Sequence, residues 1–237
     1  MSKGSLYLIP VPLAEHAEKA SYTLLHHDVI NSITEYVVEN EKTARKFLKE
    51  AGLKIPQSEL VIHDYGKHNR EKMDYNAVFA SALKGKDIGL MSEAGCPAVA
   101  DPGSDVVAEA HKRNIKVIPL VGPSSILLAL MASGFNGQYF SFHGYLPIDK
   151  AARTKKIKDL EYQSQKDRCS QIFIETPFRN NQMLAEILKS CKPNTKLCIA
   201  CNITASDEYI YTQNIASWKD SKIDLHKKPC IFILFAS

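Results

Sequence analysis

The sequence predicts two α/β domains, the first on a mostly parallel sheet and the second on a mixed one. Three observations carry this. Short apolar runs alternate with helix-length amphipathic segments over residues 1–135, the spacing of parallel strands joined by crossover helices. The cluster Gly134-Phe-Asn-Gly137 separates two apolar runs and sets the boundary, giving domains at 1–135 and 136–237. Beyond residue 195, strand-like runs succeed one another with no helix pattern between them, which requires antiparallel pairing.

In chain order, Ser5-Leu-Tyr-Leu-Ile-Pro-Val reads as a buried strand ended by proline. A helix is expected over 15–26, a short strand over 28–33 and another strand at Tyr36-Val-Val-Glu39. Asn40 is a helix cap for 41–51, with Gly52 as the stop. A strand over 59–63, a helix over 71–84 and a buried strand over 86–91 follow. Asp101-Pro102 is good chemistry for starting a helix to Arg113, and Pro123 for starting one to Ser133, with a strand over 115–120 between them. In the second domain the pattern is strand 138–143, helix 149–166, strand 170–175 and helix 179–191. Strands over 196–202, 208–211 and 230–235 complete it.

Composition is that of an ordinary folded chain, with 45% hydrophobic and 24% charged residues in 237. The sequence has no apolar run long enough for a membrane span and no signal-peptide pattern, so a cytoplasmic protein without a membrane partner is expected. Six cysteines lie mostly in apolar segments and read as reduced core residues. Cys198 and Cys201 form a CxxC inside a strand-like run; with no second CxxC, no metal is expected. The net charge of +4 is unevenly placed: residues 1–136 hold 15 Lys and Arg against 16 Asp and Glu, and residues 137–237 hold 15 against 10. A polyanion would therefore meet the second half.

Three loops at strand ends carry the chemistry. Ser92-Glu-Ala-Gly-Cys-Pro-Ala-Val-Ala-Asp-Pro-Gly103 lies between a strand and a helix, where open α/β sheets bind ligands. Gly95 allows close approach to the backbone, the prolines stiffen the loop, and its free N–H groups suit a carboxylate. Glu93 is placed to accept from an amine or a ribose hydroxyl. In Val121-Gly-Pro-Ser-Ser125, Ser124 and Ser125 fall in a first helical turn. Pro10 and Pro12, after the first strand, form a rigid wall poor in donors. No dinucleotide or triphosphate glycine fingerprint and no HExxH is present.

These stretches, in this order, resemble the tetrapyrrole-methylase superfamily, and within it the branch of ribosomal-RNA cytidine 2′-O-methyltransferases. The resemblance runs through Leu6-Tyr-Leu-Ile-Pro-Val-Pro12, Glu39, Thr43-Ala-Arg-Lys-Phe-Leu48, Leu90-Met-Ser-Glu-Ala-Gly-Cys-Pro97, Val117–Ser125, Phe140–Pro147 and Ile172–Arg179. It implies S-adenosylmethionine folded into a cleft between two domains, and a homodimer. It implies that Ser92, Glu93, Ala94, Gly95 and Cys96, with Ser124 and Ser125, touch the cofactor, and that Pro229 and Cys230 line the adenine pocket. The chain departs from the family's pattern on the substrate side. Val11-Pro-Leu-Ala-Glu15 lacks the usual glycine and asparagine, and Glu39-Asn-Glu-Lys42 shifts the second carboxylate and replaces an arginine.

Methyl transfer from a sulfonium chiefly needs donor and acceptor held in line. A ribose hydroxyl also benefits from a base, for which Glu39, Glu93 and His68 are the candidates. Arg153 and Lys155 (with Lys156 and Lys158) and Arg179 are candidates for RNA phosphates, and Tyr145 and Phe178 for stacking on a base. The expectation is a 2′-O-methyltransferase of ribosomal RNA. The alternatives are a methylase of a tetrapyrrole-like or other small molecule, and a catalytically reduced cofactor-binding protein.

Overall fold

The structure, a computed structural model, describes residues 2–236. The chain divides into one unit ending at Ser124 and another starting at Ser125. The second unit therefore includes the apolar helix that precedes Gly134.

In the first unit, β1 (Ser5–Leu8) is followed by α1 (Glu18–Ser21), α2 (Leu24–Ile30), β2 (Glu35–Val38) and α3 (Glu41–Glu50). Then come β3 (Val61–Asp64), α4 (Tyr75–Phe79), β4 (Ile88–Met91), α5 (Ser104–Lys112) and β5 (Lys116–Pro119). All pairings are parallel, in the order β3-β2-β4-β1-β5. One face of the sheet packs against Val29, Ile30, Phe47 and Leu48 of α2 and α3. The other packs against Val78, Phe79, Val106 and Ala110 of α4 and α5. The loop after β1 thus leads to one face and the loop after its neighbour β4 to the other, which makes their shared C-terminal edge a topological switch point.

In the second unit, α6 (Ser125–Ser133), β6 (Phe140–Tyr145), α7 (Lys150–Asp167), β7 (Ser170–Ile174) and α8 (Asn180–Ser190) precede β8 (Lys196–Cys201), β9 (Tyr209–Asn214), α9 (Ile215–Trp218) and β10 (Cys230–Phe235). The sheet order is β6-β7-β10-β8-β9. Only β6 and β7 pair in parallel. The other three pairings are antiparallel, so the second sheet is mixed. Its core gathers Ile157, Leu160, Phe173, Ile187, Trp218 and Phe232. The opposite face of the sheet meets α6, which also accepts the Thr212 hydroxyl on the Ser133 carbonyl at 2.9 Å.

Several expected elements differ. The strand expected over 28–33 is the end of α2 and a turn, because the Thr23 hydroxyl accepts the His26 N–H and caps a helix that buries Val29 and Ile30. The helix expected over 15–26 is correspondingly broken into α1 and the start of α2. The long helix expected over 71–84 is a short α4 between two 3-10 turns, since Asp74 caps a fresh start by accepting from Asn76 and Ala77. α5 starts at Ser104 rather than at Asp101-Pro102, because Gly103 (φ +124°) turns the chain away from helix geometry. α9, a single turn set by the Asn214 cap, was too short to give a periodic signal.

Candidate functional site

Between the ends of β1 and β4, the loops cross-link by a pair of backbone hydrogen bonds, Val11 N–H to Gly95 O and Gly95 N–H to Val11 O, both 3.0 Å. Gly95 adopts φ +71°, and a Cβ there would stand 3.1 Å from Leu13 Cδ2 and 3.4 Å from the Pro123 carbonyl oxygen. The third loop closes on the same place. Gly122 lies against the Pro10 ring, and the Cys96 thiol donates to the Pro123 carbonyl at 3.3 Å. The proline-rich stretches thus form one rigid assembly around the switch point. Beside it lies a cleft of about 420 Å³, lined by Val11–Glu15, by Thr43 and Phe47 of α3, and by Met91–Ala94.

One expectation about this loop needs correcting. The Gly95 N–H is not free for a ligand carboxylate, because Val11 already accepts it. The Glu93 N–H is likewise directed at a Glu39 carboxylate oxygen, 3.3 Å away. One amide of the loop, that of Glu93, does face an anion, but the anion is the protein's own.

Glu39 follows β2, so the β2–β4 pairing brings it to the loop after β4. Thr43, in the first turn of α3, donates its hydroxyl to Glu93 at 2.5 Å. Burial, and then the charges of Asp101 and Glu93, push the Glu39 carboxyl above its ordinary value; the Glu93 N–H and the Arg70 charge partly oppose this. Burial and the Glu93 charge push Asp101 up in the same direction, against a hydrogen bond from Ser92. Three carboxylates therefore cluster at this loop, of which Glu93 lines the cleft, and the other two hold protons more tightly than an isolated carboxylate would. Thr43 and Asp101 carried no role in the sequence reading. Thr43 lies inside the Thr43–Leu48 stretch, but its partner is set by sheet order, and Asp101 has the sequence pattern of a helix start.

The other expected residues are placed as follows. Pro10 and Pro12 flank Val11, with Pro12 on the cleft wall. Ser92 is buried, and its hydroxyl donates to the Ala94 carbonyl at 3.3 Å. Glu93 and Ala94 are exposed. Ser124 and Ser125 are half-buried at the start of α6. His68 is exposed in the turn after β3, with no side-chain hydrogen bond among the described residues. Pro229 is exposed, whereas the Cys230 side chain belongs to the core, leaving only its backbone for a ligand.

Arg153 corrects the sequence reading. It is only 3% exposed, donates to the Ile148 carbonyl at 2.7 Å and lies 3.9 Å from Glu186, so it fastens the turn before α7 instead of facing solvent. Lys155 is exposed on α7. Arg179 is partly exposed, and its guanidinium is held at 2.6 Å by the buried Glu175 carboxylate. Tyr145 and Phe178 are exposed.

Rigid loops at a switch point, a cleft beside them and a following mixed-sheet unit define an α/β ligand-binding architecture. The family model described as Tetrapyrrole (Corrin/Porphyrin) Methylases matches residues 17–218, and the chain belongs to that family; it is a methyltransferase. It is 31% identical to the "Ribosomal RNA small subunit methyltransferase I" of Buchnera aphidicola (subsp. Schizaphis graminum), over 98% of this chain and 78% of that one. It is 30% identical to the protein of the same name from Vibrio cholerae, over 89% of this chain and 69% of that one. Among solved structures, the methyltransferase CobJ has a similar fold, with a TM-score of 0.63 at 14% identity, covering 99% of this chain and 95% of the other.

Gly95→Val is expected to weaken ligand binding at this site at least tenfold and to cost about 1–3 kcal/mol of stability, since a branched side chain at positive φ is strained. Titration calorimetry and urea unfolding check the two parts, and an unchanged affinity would remove Gly95 from the site.

Proposed function

We propose that the chain methylates a 2′-hydroxyl of ribosomal RNA with S-adenosylmethionine as donor, acting in the cytoplasm as a homodimer. The observation that supports this most is the clustering of Glu39 and Asp101 around Glu93, which itself lines a cleft large enough for a nucleoside-sized ligand. The names of the relatives supply the substrate class.

The residues fit the donor. Val11, Leu13 and Phe47 offer apolar walls, and Thr43, Ser92 and Glu93 offer polar groups. The donor supplies an activated methyl on a sulfonium. Glu93, with Glu15, Glu18 and Glu50 on the same walls, gives the cleft the negative charge that suits a cationic donor, and the cross-linked loops hold their backbone in place without further ordering on binding. Glu39, with its raised proton affinity, takes the proton from the acceptor hydroxyl. An acidic rim repels phosphates, so the RNA backbone is held by the basic surface of the second unit, with Lys155 on α7 and Arg179 as contacts.

Incubating the chain with tritiated S-adenosylmethionine and undermethylated small ribosomal subunits tests this reading. Label in the ribosomal RNA at a ribose is the expected result. Label only in a small-molecule extract, or in nothing, counts against it. Lys155→Ala is expected to weaken RNA binding and to flatten its salt dependence by about one ion. Arg153→Met is expected to leave that slope unchanged while altering stability. Filter binding across a salt series distinguishes the two.

A further inference from the structure

In β8, Cys198 and Cys201 are three residues apart, so they point to opposite faces of the sheet and cannot act together. The partner of Cys201 is across the sheet. Cys201 on β8 stands directly opposite Cys230 on β10, and their sulfurs are 2.6 Å apart, both thiols being free. The Asn202 N–H donates to the Pro229 carbonyl at 3.0 Å, which makes Cys201 and Cys230 a non-hydrogen-bonded pair. At such pairs the Cα atoms lie closest and the side chains converge, within the Cα separations that disulfides span. The chemistry of the two thiols does not depend on methyl transfer, although Cys230 is also an expected adenine-pocket residue.

We propose that Cys201 and Cys230 form a reversible thiol–disulfide site that reacts with hydrogen peroxide. Cys201 reacts first. The contact with Cys230 holds its thiol below the usual value, against the effect of burial, while the same contact and burial push Cys230 up. The Cys201 thiolate sulfur attacks one peroxide oxygen, the O–O bond breaks, and hydroxide leaves and takes up a proton as water. The Cys230 sulfur then attacks the resulting sulfenic sulfur. The S–S bond forms, and the sulfenic oxygen leaves as water with the Cys230 proton. In sum, two thiols and one peroxide give one disulfide and two waters, the sulfurs losing the two electrons that the peroxide gains. The residues are only 1% and 5% exposed, which favours a small oxidant over larger disulfides such as oxidised glutathione. In a reducing cytoplasm the pair rests as dithiol.

Oxidation of the whole chain by hydrogen peroxide, followed by thiol counting in denaturant and peptide mapping, tests this. The expected result is a fall from six thiols to four, a loss of two hydrogens, and one cross-linked peptide pair whose fragments join Cys201 to Cys230. Dithiothreitol restores six, and Cys230→Ser gives no such cross-link. Six thiols retained under oxidation, oxygen added without a cross-link, or a cross-link through Cys198 or another cysteine would each overturn the proposal.

Discussion

Glu39→Gln is expected to lower methyl transfer by about a hundredfold or more, while raising stability at neutral pH. The first effect follows if the carboxylate is the group that accepts the hydroxyl proton, since a positioned base contributes roughly 10²–10⁴ in rate. The second follows from its surroundings. Burial, with Asp101 and Glu93 close by, raises the Glu39 proton affinity in the folded chain above that of the unfolded one. The folded state then binds more protons than the unfolded state, so stability is greatest below the unfolded carboxyl value and falls as pH rises through the folded one. Above the folded value glutamine removes that loss, by about 0.5–1 kcal/mol for a half-buried group. Below the raised value, with the wild-type carboxyl protonated, the stability gain disappears. Wild-type activity falls as the pH drops toward the raised value and Glu39 becomes protonated. Rate assays and thermal melts in parallel at neutral and acid pH check both signs. A variant that loses stability at neutral pH, or keeps its rate, is incompatible with this role.

Gly122→Ala is the second large effect. A Cβ at this position would sit 2.3 Å from Pro10 Cβ and 2.5 Å from Pro10 Cγ. The proline ring cannot rotate away, so the loop after β1 and the loop after β5 must separate. Overpacking of this kind costs about 1–3 kcal/mol. The separation also strains the Val11–Gly95 cross-link, which is built on the same loop as Pro10, so donor affinity is expected to fall at least tenfold. Gly137→Ala is the matched control, because nothing lies within 4 Å of its Cβ and its φ is not positive. Urea midpoints and calorimetric titration of the two variants, side by side, separate a local clash from a general intolerance of alanine.

How much of this was legible in the sequence depends on whether the cause was local. The strands ending at Leu8 and Met91, the final strand over 230–235 and the Asn40 cap with its Gly52 stop are local features, and each is found where the residues indicated. The mixed second sheet followed from strand-like runs without helices between them. The segment around 28–33 misled because Val29, Ile30 and Ile33 suit a strand as well as a buried helix face, and the Thr23 cap decided the matter. The 71–84 segment has helix-forming residues throughout, but Asp74 competes for the backbone and restarts the helix.

The site was only half visible. Proline and glycine marked the three loops, yet their joining is a property of sheet order. β4 inserts between β1 and β2, and only then does Gly95 meet Val11 and Glu39 meet Glu93. No spacing along the chain encodes the Thr43–Glu93 bond across fifty residues. Arg153 shows the opposite limit: on a lysine-rich helix it has the sequence pattern of a surface charge, whereas the Ile148 carbonyl and Glu186 hold it inside.

The crevice at the β1–β4 switch point is the proposed site of S-adenosylmethionine. Calorimetric titration of the chain with that compound tests it most directly, with Gly95→Val and Gly122→Ala measured in the same buffer. The expected result is saturable binding at one site per chain, weakened at least tenfold in both variants and unaffected in Gly137→Ala. Absence of binding to the folded wild-type chain, or equal affinity in all four proteins, would contradict it.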